Sequence, residues 1–263
     1  MRAARALRLG TILFGVGCGA GTPLLHPAHV LGTGDVRAAA GLSGQGIAGP
    51  VSQSLRNAEA IATSQGDASD PEYARGAIVL AALSPGIAPF VAARVGLGKE
   101  FEGGVAYTGR GARIDARRAF SFGGWALSAG AGVHGTFAGG SSSIKLDGVE
   151  IGSLRGFGFD VPLLAGWRSA GGIYQWWAGA RGGYAHHFIA PVTTVQQLGG
   201  PLALDADQIH VGGILGFATG FRHVHVALEI EVAWQHLDGK LGSVKGTVDG
   251  ASLTPASAVW IDF

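Results

Sequence analysis

Cysteine occurs once in the 263 residues, at Cys18, so neither an internal disulfide nor a thiolate-rich metal site can form. Charge is scarce too: ionised side chains make up 14% of the chain, and 19 bases against 18 acids leave a net charge of +1. Nucleic-acid binding is thereby excluded, since it needs a clustered basic face to displace counterions from phosphates. Past the N-terminus the longest apolar run is about AIVLAAL, residues 77–83, far short of the ~20 residues of a membrane-spanning helix. Proline is limited to 10 residues and the glycines have no period of three, which rules out a collagen-like chain. What is abundant is glycine, 47 residues, in a chain whose mean hydropathy is +0.30. The length allows one large domain or two small ones.

The N-terminus reads as an address. Arg2, Arg5 and Arg8 precede an apolar run over 9–17 that ends at Cys18, with no acid in between. This is a secretory signal pattern, too short to span a bilayer and therefore expected to be removed. Val16, Gly17 and Cys18 resemble the lipobox of bacterial lipoproteins, in which the cysteine becomes the acylated first residue. That resemblance implies lipidation at Cys18, and Gly19, where an Asp is absent, resembles members sorted to the outer membrane. Gly15 stands where the family usually has Leu, which keeps open cleavage by ordinary signal peptidase a few residues on. The expected division is a signal peptide over 1–17, a periplasmic tether over 18–34 and one domain over 35–263.

That domain has a period of two. Over 224–236, Val224, Val226, Leu228, Ile230, Val232 and Trp234 fall on one face, and His225, Ala227, Glu229, Glu231, Ala233 and Gln235 on the other. Segments 125–137, 156–168, 173–188 and 209–221 follow the same rule, with small or polar residues on the second face. These segments run ~13–16 residues, whereas soluble strands usually run ~5–6 and a tilted membrane strand needs ~9–11 in hydrocarbon. Ten strands are expected, at 35–44, 75–83, 87–98, 103–119, 124–137, 155–168, 173–188, 206–221, 224–237 and 254–263. Short connections at 84–86, 120–123, 169–172 and 222–223 then share one side, and 45–74, 99–102, 138–154, 189–205 and 238–253 share the other. Segment 75–83 does not alternate and also suits a helix; without it another strand is expected within 141–151. In 103–119, Val105 and Tyr107 are out of phase with Ile114 and Ala116, which calls for a bulge near Gly109 or Gly111.

Short turns on one side, long loops on the other and an even strand count resemble the bacterial outer-membrane β-barrel proteins. The last residues, AVWIDF, place Phe263, Ile261 and Val259 at alternate positions, like the signature read by the barrel-insertion machinery. The resemblance covers 18–263. It implies an all-β fold, an antiparallel transmembrane β-barrel of about ten strands (8–12) with a short helix in the first outer loop. Its partners would be outer-membrane lipid and the insertion machinery, with Phe263 as the insertion signal; no cofactor and no metal are expected.

Some patterns carry less than they suggest. GQGIAG, residues 44–49, matches the dinucleotide fingerprint, but no acid follows the next apolar segment and Arg37 interrupts what would be a doubly buried strand. Ser128 brushes the nucleophile-elbow pattern but lies within a strand, without the turn that exposes such a serine. Arg37, Arg94, Arg110, Arg113, Arg117, Arg168 and Arg181 fall mostly on the small-or-polar face, with Asp115, Asp160, Glu229, Glu231 and His225 as lumen-lining neighbours. They read either as a constriction selecting anions or, preferred, as salt bridges filling a narrow lumen. His187, Asp205, Asp207, His236 and Asp238, with His186 nearby, fall at the outer rim; outer-membrane proteases of ten strands place Asp and His there, but no motif fixes these as that set. The expected function is a structural or surface-interaction barrel. A small-solute channel is the alternative and a rim hydrolase the third reading, while no ligand of the outer loops is named.

Overall fold

The computed structural model describes residues 21–64, 69–137, 146, 149, 151–190 and 202–263. Ten antiparallel strands close into a barrel: β1 (Val36–Ala48), β2 (Gly86–Gly98), β3 (Phe101–Tyr107), β4 (Gly111–Phe122), β5 (Trp125–Thr136), β6 (Leu154–Arg168), β7 (Tyr174–Ile189), β8 (Leu204–Phe221), β9 (Val224–Leu241) and β10 (Val244–Asp262). Consecutive strands pair throughout, and β1 completes the ring against β10. At that seam Val36 and Phe263 exchange both backbone hydrogen bonds, at 3.2 and 2.8 Å, so no strand edge is left open. Following the register from Tyr107 through β2 and β1 leads round to Tyr174, and through β4 and β5 to His186. The two arrivals differ by twelve residues on β7, the stagger that closing a barrel of tilted strands requires.

Alternation sorts side chains by face. Leu127, Val133, Leu163, Val211, Leu215, Leu228 and Val232 are exposed on the outer wall, where a soluble protein would put polar groups. Aromatic residues bound this apolar band at both ends. Trp125 meets Trp176 edge-on at 5.2 Å at the end that holds Val36 and Phe263, the terminal end. Tyr107 stacks on Phe137 at 6.4 Å at the opposite, loop end. A closed antiparallel barrel with an apolar outer wall between two aromatic girdles is the architecture of a transmembrane β-barrel.

The count of ten is reached by a different route from the expected one. Segment 75–83 belongs to a helix, α2 (Pro71–Leu83), which follows α1 (Pro50–Thr63) in the first loop. Asp70 caps α2 by accepting from the backbone N–H of Glu72 at 2.8 Å, and Pro71 takes the first turn. Its sequence lacks a polar stripe because it is buried on almost every side. The lost strand is recovered in 103–119, where Thr108, Gly109 and Arg110 form a tight turn between β3 and β4; Gly109 has φ +76°. The phase change across that segment is therefore a reversal of chain direction, not a bulge. As a consequence the expected connection 99–102 lies at the terminal end, not the loop end, where residues 99–100 join β2 to β3, and 84–85 lead into β2 at the loop end. Segment 238–253 is mostly strand, since β9 and β10 continue to a turn at Gly242 and Ser243. The strand considered within 141–151 falls largely outside the described residues.

Two apolar cores result. At the loop end Val51, Leu55, Ile78 and Leu80 of the helices pack with Leu204, Leu237, Leu241 and Val248 on the inner wall of the long strands β8, β9 and β10. Nearer the terminal end Leu24, Leu25 and Ala28 pack with Phe90, Trp177, Ile214 and Trp260 from strands all round the ring. Of the residues 18–34 expected as a periplasmic tether, residues 21–31 thus lie inside the barrel, and 32–35 are exposed at its terminal end. The inserted residues reach the interior because no ionised side chain occurs between Gly21 and Gly34, so entry desolvates no charge.

Candidate functional site

The inner wall carries a continuous chain of alternating charge. Glu102 on β3 accepts from Arg94 on β2 and from Arg117 on β4, the latter at 2.8 Å. Arg94 also bridges to Asp115, and Asp115 to Arg113. Asp160 on β6 takes Arg113 through Nε at 2.9 Å and Nη2 at 2.8 Å, and Arg181 on β7 at 3.0 Å. Arg181 reaches on to Glu231 on β9 at 3.2 Å. All are buried, so each charge depends on its neighbours for compensation. Lower down, Arg37 forks onto Asp262 at 2.6 and 2.8 Å and lies 4.4 Å from the centre of the Trp260 ring.

Residues 21–35 dock on this wall through their backbone. The carboxylate of Glu229 receives the N–H groups of Leu24 and Leu25 at 2.7 and 3.0 Å, and the indole N–H of Trp177 at 2.9 Å. Glu102 receives the N–H of Leu31 at 2.9 Å. Arg117 donates to the carbonyls of Pro27 and His29, and Arg181 to the carbonyl and hydroxyl of Thr22. Pro23 and Pro27 bring no N–H of their own, so fewer donors need partners in the interior. His29 is held neutral, its pKa lowered to about 4 by burial and, secondarily, by the charge of Arg168.

Two cavities flank the segment. At the terminal end a vestibule of about 360 Å³ is lined by His29, Arg37, Arg168, His223 and His225. Near the loop end a cavity of about 80 Å³ separates Gly21 and Thr22 from Ala82 of α2. Arg110 lines it, joining no ion pair among the described residues and donating at 2.8 Å to the carbonyl of Ala81 in the last turn of α2. A cation is favoured there by the helix dipole.

The positions anticipated from sequence divide accordingly. Arg94, Arg113, Asp115, Arg117, Asp160, Arg181 and Glu231 are joined in the ion chain, Glu229 in the backbone clasp, and Arg37 and Arg110 in the two contacts above. His225 faces inward at the terminal end, with Nε2 3.2 Å from the carbonyl of Gly172. Arg168 is exposed at the vestibule and joins no ion pair among the described residues. Glu102 is not among the expected site residues, because the sequence reading places 99–102 in a connection. Its signal was its place opposite Phe101, Val105 and Tyr107 in the alternation, alongside Gly104 and Ala106.

The rim residues do not converge. His187 points inward to Gln208 at 3.0 Å, whereas Asp205, Asp207, His236 and Asp238 lie on the outward parity, and the wall separates the two groups. Asp207 takes His186 at 3.0 Å and the hydroxyl of Tyr184; His236 pairs with Asp249 at 2.8 Å, and Asp238 accepts from Thr247 at 2.6 Å. Donor atoms of His186, Asp205 and Asp207 lie within 4.8 Å of one another, the one such group among the described residues. Among the described residues, His236–Asp249 and Asp238–Thr247 are thus separate pairs on the outer wall, apart from the group at Asp207. Cys18 lies outside the described residues.

No protein-family model and no curated protein matches the chain. Among solved structures, Neisserial surface protein A (NspA) is similar over 87% of this chain and 96% of its own, with 11% identity and a TM-score of 0.35. Ail, the attachment invasion locus protein of Yersinia pestis, is similar over 88% of this chain and 99% of its own, with 10% identity and a TM-score of 0.28.

Proposed function

We propose that this protein is a non-enzymatic barrel of the bacterial outer membrane, with a structural or surface-interaction role and a lumen filled by its own residues 21–31 and the arginine–carboxylate chain. The observation that carries this reading is the clasp of Glu229 on the backbone of Leu24 and Leu25. A buried carboxylate satisfied by main-chain donors of a segment needs that segment to stay. The ring of paired charges supports it too, because a permeant ion would have to compete with partners already in contact. Membrane lipid is the partner of the apolar wall, and Phe263, exposed at 71% at the seam, is proposed as the signal for the insertion machinery. Lipidation of Cys18, which the likeness of Val16, Gly17 and Cys18 to the lipobox implies, is proposed as a second tether to the membrane.

Single-barrel conductance in a planar bilayer tests the reading. The folded protein is expected to show no steady open level. A stable conductance of the wild-type barrel would overturn it in favour of a small-solute channel.

A further inference from the structure

The outer wall changes character at the loop end of β7, β8 and β9. Tyr184, His186 and Phe188 on β7 share the outward parity with Asp205, Asp207 and Ile209 on β8, and with His236, Asp238 and Lys240 on β9. Register sets His186 opposite Asp207, and Asp207 in turn opposite Asp238. Like charges that face each other across a ladder repel, so Asp207 and Asp238 call for a cation between the strands. Asp205 adds a further carboxylate that joins no ion pair or hydrogen bond among the described residues, although Lys240 is its register partner on β9.

We propose that His186, Asp205 and Asp207 bind one divalent metal ion of the zinc class, at a site that joins β7 to β8 on the outer face of the barrel. The imidazole and one oxygen from each carboxylate supply three ligands, and water takes the fourth position. An imidazole beside two carboxylates suits zinc, whereas magnesium and calcium take oxygen ligands. The two carboxylates balance the charge of the ion. Coordination through Nδ1 of His186 moves the imidazole proton to Nε2, and the ion replaces the contact of Nδ1 with Asp207. The site lies outside the lumen, so it stands independently of the lumen-filling reading.

Three observations carry the assignment. Donor atoms of the three residues lie within 4.8 Å of one another, with His186 Nδ1 and an oxygen of Asp207 3.0 Å apart. Two ligands of a tetrahedral zinc ion stand ~3.3 Å apart, a separation this pair already approaches. The ligands are also held in place. The His186 ring lies 5.5 Å from that of Phe157 and 5.9 Å from that of Phe188 between centres, and the Tyr184 hydroxyl donates to Asp207, as outer-shell partners of a ligating carboxylate do. Finally, all three stand half-buried on paired strands rather than in a loop, which keeps their geometry fixed before an ion arrives. The neighbouring pair His236–Asp249 belongs to no such group among the described residues and serves as an internal control.

The test titrates zinc chloride into the folded, chelator-washed barrel in detergent, read by competition with a chromogenic chelator. One ion per barrel is expected. Its affinity should fall by about tenfold or more in His186→Ala and in Asp205→Asn, and stay unchanged in His236→Ala. Heat-modifiable gel migration checks that each variant is folded, and a large excess of magnesium should leave the zinc in place. Should His186→Ala fail to fold, X-ray absorption at the zinc edge of the wild-type barrel decides: a nitrogen and oxygen shell with imidazole scattering is expected, and a sulfur ligand or a shell without imidazole is not. Absence of saturable binding, an affinity insensitive to either Asp205→Asn or His186→Ala, an equal loss in His236→Ala, displacement by magnesium, or the wrong shell overturns the proposal.

Discussion

The indole N–H of Trp177 on β7 and the carboxylate of Glu229 on β9 are 2.9 Å apart, and the same carboxylate holds the backbone of Leu24 and Leu25. One side chain thus ties the wall to the segment inside it. Trp177 is fully buried and lies 6.3 Å from Trp260 between ring centres, so the carboxylate is held by a rigid aromatic floor.

Replacing that carboxylate weakens three hydrogen bonds at once. Glu229→Gln is expected to cost about 1.5–3 kcal/mol, the range for bonds to a charged group. Amide exchange over residues 21–35 is the readout, and faster exchange there with the strands still protected is the expected result. Trp177→Phe removes one donor and should cost less, about 1 kcal/mol.

Breaking the ion chain at its centre should be more severe. Asp160→Asn removes the negative charge that Arg113 and Arg181 share and replaces one acceptor oxygen by a donor NH2, leaving them Asp115 and Glu231 as acids, at a cost of about 3–5 kcal/mol. The temperature at which the folded form is lost in heat-modifiable gel migration should fall clearly. An unchanged transition would mean that water, not protein, compensates those arginines.

The outer wall can be tested by a single charge. Leu228 faces outward beside Glu229, and Leu228→Arg should cost about 2–4 kcal/mol if hydrocarbon surrounds it. Urea unfolding in lipid vesicles measures the difference. A cost near zero would show that this wall is wet.

Acid should loosen the N-terminal segment. His29 is neutral in the fold, with its pKa lowered to about 4 against 6.5 for the free side chain. The unfolded or released segment binds more protons below pH 6.5, so this contribution is complete above 6.5 and is lost as the pH falls towards 4. Exchange over residues 21–35 should therefore quicken between pH 7 and 4.5, and His29→Asn should reduce that dependence without abolishing it, because His26 in the same segment is buried and neutral too.

The roof has its own contact. Arg110→Met removes the hydrogen bond to the Ala81 carbonyl and the cation at the end of α2, worth about 1–2 kcal/mol together. Exchange in the last turn of α2 should quicken while the strands remain protected.

Much of this was legible in the chain. The faces of β9 were readable residue by residue, because a strand in hydrocarbon admits only apolar side chains on one parity and the lumen only small or polar ones on the other. The ends of elements were less legible: β3 and β4 were read as one strand because the reversal at Gly109 takes only three residues and leaves just a phase change behind. The helix α2 passed for a strand because burial on all sides erases the 3.6-residue pattern. Local sequence thus determined the strand period, the apolar wall, the aromatic girdles and the presence of arginines and acids on the inner parity. Tertiary structure alone decided which arginine meets which acid, since Arg113 and Asp160 are 47 positions apart and become neighbours only through the register of three strands. It also decided that residues 21–31 enter the barrel, because an uncharged segment fits a tether or a lumen equally well until a ring of strands supplies Glu229, Glu102, Arg117 and Arg181 to its backbone.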